Sequence, residues 1–80
     1  MTSQERQVMV GHIESMLEAM ENDVKYTKER DVEITSYDIE LLINNRNIFE
    51  EMKENGTTIH ELNWLFDDVK MLHESWPFNV

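Results

Sequence analysis

Apolar residues recur at spacings of three and four along most of this chain, a period that predicts three helices. The first spans roughly 3–28. Its Met9, Ile13, Met16, Leu17, Met20 and Val24 fall within about 100° of arc, with Glu14, Glu18, Glu21 and Lys25 expected on the opposite side. Thr2 followed by Glu5 has the pattern of a capping box at its start. The second helix spans roughly 36–55. Thr35 is the expected cap, Ile34 and Ile39 sit at the positions of a hydrophobic staple, and Asp38 is the third helical residue. Gly56 suits the left-handed position that ends it. The third helix, roughly 58–75, opens on Thr58 with Glu61 three residues on, and the Trp76–Pro77 step disfavours its continuation. The polar 29–34 segment reads as an extended connection, and no repeat or long linker divides the chain.

The faces predict the packing. Helix 3 gathers Ile59, Leu62, Leu65, Phe66, Val69, Leu72 and Trp76 on one broad arc. Helix 2 is apolar on two sides, with Ile39, Leu42, Ile43 and Phe49 on one and Leu41, Ile48 and Met52 on the other. A helix of that kind lies between neighbours. The expected fold is therefore all-α: a small three-helix bundle with a long first helix, a central second helix and a short turn into the third. That turn makes helices 2 and 3 either antiparallel or crossed as in a helix-turn-helix. Burial and chain entropy come out near balance for chains of about 70–80 residues. A second copy would relieve that balance, so self-association, most simply as a homodimer, is a further expectation.

Charge narrows the function. The 80 residues carry seventeen acidic and seven basic side chains, a net charge of −10, and no cysteine. Disulfide scaffolds, cysteine–zinc sites and thiol catalysis are excluded. No apolar run approaches the roughly 18 residues of a membrane span, and residues 1–7 lack the features of a signal peptide. A methionine start and this length are those expected of a whole, soluble, cytoplasmic protein with no membrane association. At 40% hydrophobic residues, the chain is not a disordered acidic tail.

The residues that could carry chemistry are not arranged for it. His12, His60 and His73 form no His-x-x-x-His or Glu-x-x-His pair, and no calcium loop occurs, so no metal is expected. His73 falls inside the apolar arc of helix 3, where a core-edge histidine is the expected role and a pH switch the alternative. Ser3, Ser15, Ser36 and Ser75 have no glycine-framed elbow, and Gly11 and Gly56 stand alone, so neither nucleophilic catalysis nor phosphate cradling is indicated. The Asp67–Asp68 pair reads as a solvated helix face. The expectation is of no enzyme, no catalytic residues and no cofactor. Helix 3, as a recognition helix, would carry Glu61, Asp67, Asp68 and Glu74 against Lys70 alone, which opposes direct nucleic-acid binding. The inverse is favourable: such a surface attracts basic proteins.

Two features do not fit the core. Trp64 and Met71 lie one heptad apart on helix 3, nearly opposite its apolar arc, with His60, Asp67 and Asp68 around them. An aromatic and a methionine rimmed by carboxylates have the composition of a protein-binding hot spot. The same stripe could instead pack on helix 1 or on a second copy. Arg46, amid Ile39, Leu42, Ile43 and Phe49, is expected to reach the rim and pair with Glu50 four residues on, with a carboxylate across a dimer interface as the alternative.

The segment Ser36-Tyr37-Asp38-Ile39-Glu40-Leu41-Leu42-Ile43-Asn44 resembles the Ser-Gln-Glu-Leu-Asp signature of the small sporulation aspartyl-phosphate phosphatases. Those are short helical hairpins that act on response-regulator receivers. Ser36 matches, Asp38 and Ile39 are conservative, and Glu40 stands where the family has its functional Asp. The resemblance covers nine residues, and the longer Glu40 side chain departs from the geometry that would position an attacking water.

The leading expectation is a small acidic interaction protein, a regulator or inhibitor of the kind phage host-takeover factors and bacterial regulatory proteins exemplify. Its partner is a larger protein with a basic surface, of the nucleic-acid-binding or transcription class. Trp64, Met71 and Tyr37 would anchor the contact, Asp67, Asp68 and Glu61 steer and orient it, and His60 belongs to the same partner-binding set. The alternatives are a phosphatase-like action on a response regulator and a purely structural helical subunit.

Overall fold

The computed structural model describes residues 3–26 and 34–76. It contains α1 (Ser3–Lys25), α2 (Ser36–Asn55) and α3 (Ile59–Glu74), a small all-α three-helix bundle. Thr2, the 27–33 connection and Pro77 lie outside the described residues, so the expected first cap, the last turn of helix 1 and the proline stop do too.

Helices 2 and 3 begin where their caps place them. Thr35 adopts an extended conformation (φ −70°, ψ 154°) and its hydroxyl accepts from the Asp38 backbone N–H at 3.2 Å. Thr58 repeats this with the Glu61 N–H at 3.3 Å. Each satisfies one of the donors a helix start leaves unpaired. The return contacts depart from a capping box. The Asp38 carboxylate accepts from the Thr35 hydroxyl, and that of Glu61 from the Thr57 hydroxyl. At the other end of α2, Gly56 holds φ 81° and ψ 158°. That is not the left-handed helical well but the extended positive-φ region, which is essentially closed to residues bearing a Cβ.

The core is one cluster: Ile13, Leu17 and Met20 of α1, Leu42 and Phe49 of α2, and Leu62, Leu65, Val69 and Leu72 of α3, closed by Trp76. α2 touches both neighbours, as its two apolar sides require, but the most extensive packing is between α1 and α3. The helix order follows from cross-contacts. His12 meets Phe66 edge-on with centroids 6.3 Å apart, and the Trp76 indole N–H donates to Asp23 at 3.0 Å, so α1 and α3 run parallel. α2 runs antiparallel to both. Tyr37 and Leu41 lie beside Leu72 and Ser75, while Ile48 and Met52 lie beside Glu61. Side-by-side contact along both helices is the antiparallel arrangement, not the crossed one of a helix-turn-helix. His73 is half-buried at the core edge.

A Cβ built on Gly56 meets nothing within 4 Å, so a Gly56→Ala change acts through the backbone alone. It is expected to destabilise the fold by about 1–3 kcal/mol, measured by urea unfolding. Gly11→Ala, in mid-helix and also with open space around its Cβ, should stabilise by roughly 0.5–1 kcal/mol in the same experiment.

Candidate functional site

Two clusters of side chains stand apart from the apolar core, one closed and one open. The closed cluster is built on Arg46. Its Nε and Nη2 donate to the two oxygens of Glu21 at 2.8 and 2.6 Å, a bidentate pair between α2 and α1. Its Nη1 reaches Glu14 at 3.2 Å and Glu50 at 2.9 Å. Lys53, one heptad on, bridges Glu14 at 3.4 Å and Glu50 at 3.2 Å. Both cations also lie over the Phe49 ring, with Lys53 Nζ 4.7 Å from its centroid.

The Glu50 contact is the one the i,i+4 spacing predicts, but the contacts to α1 overturn the expectation that Glu14 and Glu21 lie opposite the apolar stripe. At 100° per residue both fall on the stripe's flank, roughly 90–110° from its centre, which is the side α2 covers. A sequence signal existed. Glu14 and Glu21 are seven apart, as are Arg46 and Lys53, and the antiparallel register sets each pair of opposite charges face to face. The two carboxylates that Arg46 finds beyond Glu50, those of Glu21 and Glu14, are within the chain.

These contacts set the protonation of the cluster. Arg46 is pushed further up, first by the Glu21 hydrogen bonds and then by Glu14, against the opposing effect of desolvation. Glu50 is held below its ordinary value, chiefly by Lys53 and then by Arg46. Lys53 is raised, chiefly by Glu50.

The open cluster lies on the outer faces of α2 and α3. Trp64 is 56% exposed, Met71 69% and Tyr37 68%. The stripe thus does not pack on helix 1. Tyr37, Met71 and Asp68 come together in one groove of about 460 Å³ between the start of α2 and the end of α3, with Asp38, Leu41, Asn45, Leu72 and Ser75 completing its lining. Trp64, His60 and Asp67 continue the face along α3 and are exposed. Glu61 is not part of this groove. It sits at the α2–α3 turn, bonded to Thr57, near Ile48 and Met52. Asp38, absent from the sequence-level anchor set, belongs to the groove because α2 runs antiparallel to α3, a relation that the sequence left open.

Of the residues that resemble the phosphatase signature, Ser36 and Glu40 are exposed near the start of α2, and Asp38 takes part in its cap. Among the described residues no group of three or more His, Cys, Asp or Glu could hold a metal ion. No described helix is long and apolar enough to cross a membrane.

Fold and site together define a class: a small acidic three-helix protein with an internal ion-pair cluster and an exposed aromatic–methionine face. No protein-family model matches the chain, and neither a curated protein nor a solved structure does.

Arg46→Met leaves Glu14 and Glu21 half-buried without their shared cation, and should cost about 2–3 kcal/mol in chemical unfolding. The pH profile carries a second test. Glu50, with its value lowered on folding, contributes above its ordinary 4.5 and loses that contribution as pH falls through the lowered value. Lys53, with its value raised, contributes below its ordinary 10.5 and loses that contribution as pH rises through the raised value. The wild-type stability plateau should fall at both ends, and Lys53→Met should flatten the alkaline fall.

Proposed function

We propose that this protein is a small acidic interaction module. It regulates or inhibits a larger protein with a basic surface, of the class that binds nucleic acid or acts in transcription. The observation that carries the reading is that Trp64, Met71 and Tyr37 remain more than half exposed on a −10 chain with carboxylates beside them. Large aromatic and methionine side chains in solvent mark contact surfaces when they share one face.

The internal cluster sharpens the charge argument. The α2–α3 region, 36–74, holds three lysine or arginine residues and nine aspartate or glutamate residues. Arg46 and Lys53 are engaged with Glu14, Glu21 and Glu50. Eight carboxylates and Lys70 remain to face outward. A field of that sign steers a basic partner toward the face, and the exposed side chains supply the short-range contact. On a nucleic-acid-binding partner, the same surface would compete with phosphates for the cationic site. A repressive role on that partner follows from this competition.

The test is a tagged pull-down from a nuclease-treated lysate at low and high salt, with wild-type bait and Trp64→Ala bait whose helicity is verified by circular dichroism. The expected result is a basic nucleic-acid-binding protein held by wild type at low salt, released at high salt and held poorly by Trp64→Ala. Retention that ignores both salt and Trp64 contradicts the reading, and recovery of bait alone favours a self-assembling structural subunit.

A further inference from the structure

The grooves of the molecule differ in charge. The α1–α2 groove, about 250 Å³ around Val24, Ile39 and Ile43, has Glu21 on its wall but Arg46 beside it as the neutralising partner. The groove near the start of α1, about 470 Å³ around Val8, Met9, His12 and Phe66, has Glu5 on its wall. The two grooves between α2 and α3 are acidic: the one at the turn has Glu51 and Glu61 on its walls, and the one between the start of α2 and the end of α3 adds exposed Tyr37 and Met71 to its carboxylates. In the latter groove Asp38 comes from one helix and Asp68 from the other, and among the described residues no lysine or arginine lines it. Among the described residues no cation lies within ion-pair distance of Asp67 or Asp68. Its apolar lining is Leu41, Leu72 and the exposed Tyr37 and Met71.

From this combination we infer that the α2–α3 groove receives a cationic amphipathic helix of the partner, laid along the two antiparallel helices. This deepens the proposed function and rests on it. The spacing suits a helix. Trp64 and Met71 are seven residues apart on α3, about 10 Å along its axis, the rise between positions i and i+7 of an incoming helix. An apolar residue at i+7 then packs between Tyr37 and Met71 above Leu41 and Leu72, and its counterpart at i meets Trp64. Lysines or arginines on the flanks of that stripe face Asp38 on one side and Asp67 and Asp68 on the other.

A second copy of this chain is a poor occupant. A two-fold contact centred between Trp64 and Met71 puts Asp67 and Asp68 of both copies near the axis, like charge against like charge in a desolvating interface.

The experiment titrates the intact protein with a synthetic amphipathic helix of leucine and lysine, with a leucine–glutamate helix of the same pattern as control. It is read by calorimetry and by the emission of Trp64, which is half-exposed while Trp76 is buried. The expected result is binding of the lysine helix with a blue shift of emission, and no binding of the glutamate helix. Tyr37→Ala and Met71→Ala, both at exposed positions, should each weaken binding roughly tenfold, and Asp68→Asn should weaken it and lower its salt dependence. Equal affinity for wild type, Tyr37→Ala and Met71→Ala would mean capture by net charge alone and overturns the inference. So does a salt-stable dimer that Met71→Ala dissolves, since the occupant is then a second copy. In the pull-down, Tyr37→Ala bait separates the two claims. A partner lost by Trp64→Ala but kept by Tyr37→Ala leaves the interaction module standing and removes the groove. A partner kept by both removes both.

Discussion

The grip of Arg46 on Glu21 and Glu14 is the interaction on which the arrangement depends. The apolar stripe of α1 is taken up mainly by α3, which runs parallel to it. α2 gives only Leu42 and Phe49 to the fully buried core. What fixes α2 laterally against α1 is the heptad-spaced pair of cations meeting a heptad-spaced pair of carboxylates. A bidentate guanidinium contact has one good geometry, so it specifies register as well as adding attraction. A slide of α2 by one turn would leave Arg46 and two half-buried glutamates mismatched, and half-satisfied charge of that kind is more costly than none.

The same cluster shapes the surface. Drawing Arg46 and Lys53 toward α1 removes two of the three cations of α2 and α3 from the outward side and leaves Lys70 there among the carboxylates. Packing and surface charge are thereby coupled: the contact that holds the bundle also leaves acidic the groove whose Tyr37 and Met71 stay in solvent. Trp76 contributes at the opposite seam. Its indole, buried and bonded to Asp23, ties the end of α3 to the end of α1. Of the two tryptophans, Trp76, just past the end of α3, closes the core, while Trp64, opposite the apolar arc of α3, faces out.

The helices were legible in the sequence because their signals are local. The Thr35 and Thr58 caps, the Gly56 stop and the three- and four-residue spacing of Leu62, Leu65, Val69 and Leu72 are each decided within a turn or two. The exposed stripe was legible for the same reason, since Trp64 and Met71 fall opposite the arc whatever the arc packs on. What was missed depends on register between helices. Glu14 and Glu21 looked like a solvated face until α2 was laid beside them, and Asp38 joined the groove once the antiparallel direction placed it opposite Asp68. The conformation of Gly56 was half legible: a positive φ could be foreseen, but its extended ψ follows from the path of the turn into α3.

The central claim is that the α2–α3 face, and not the α1 side, is where a basic partner sits. Backbone amide shifts of isotope-labelled protein, followed as the captured partner is added, test it most directly. The account predicts the largest changes at Tyr37, Leu41, Trp64, Asp68 and Met71, with Glu14, Glu21 and Val8 unmoved. Changes centred on Val8, His12 and Phe66, or on the Arg46 cluster, would contradict it.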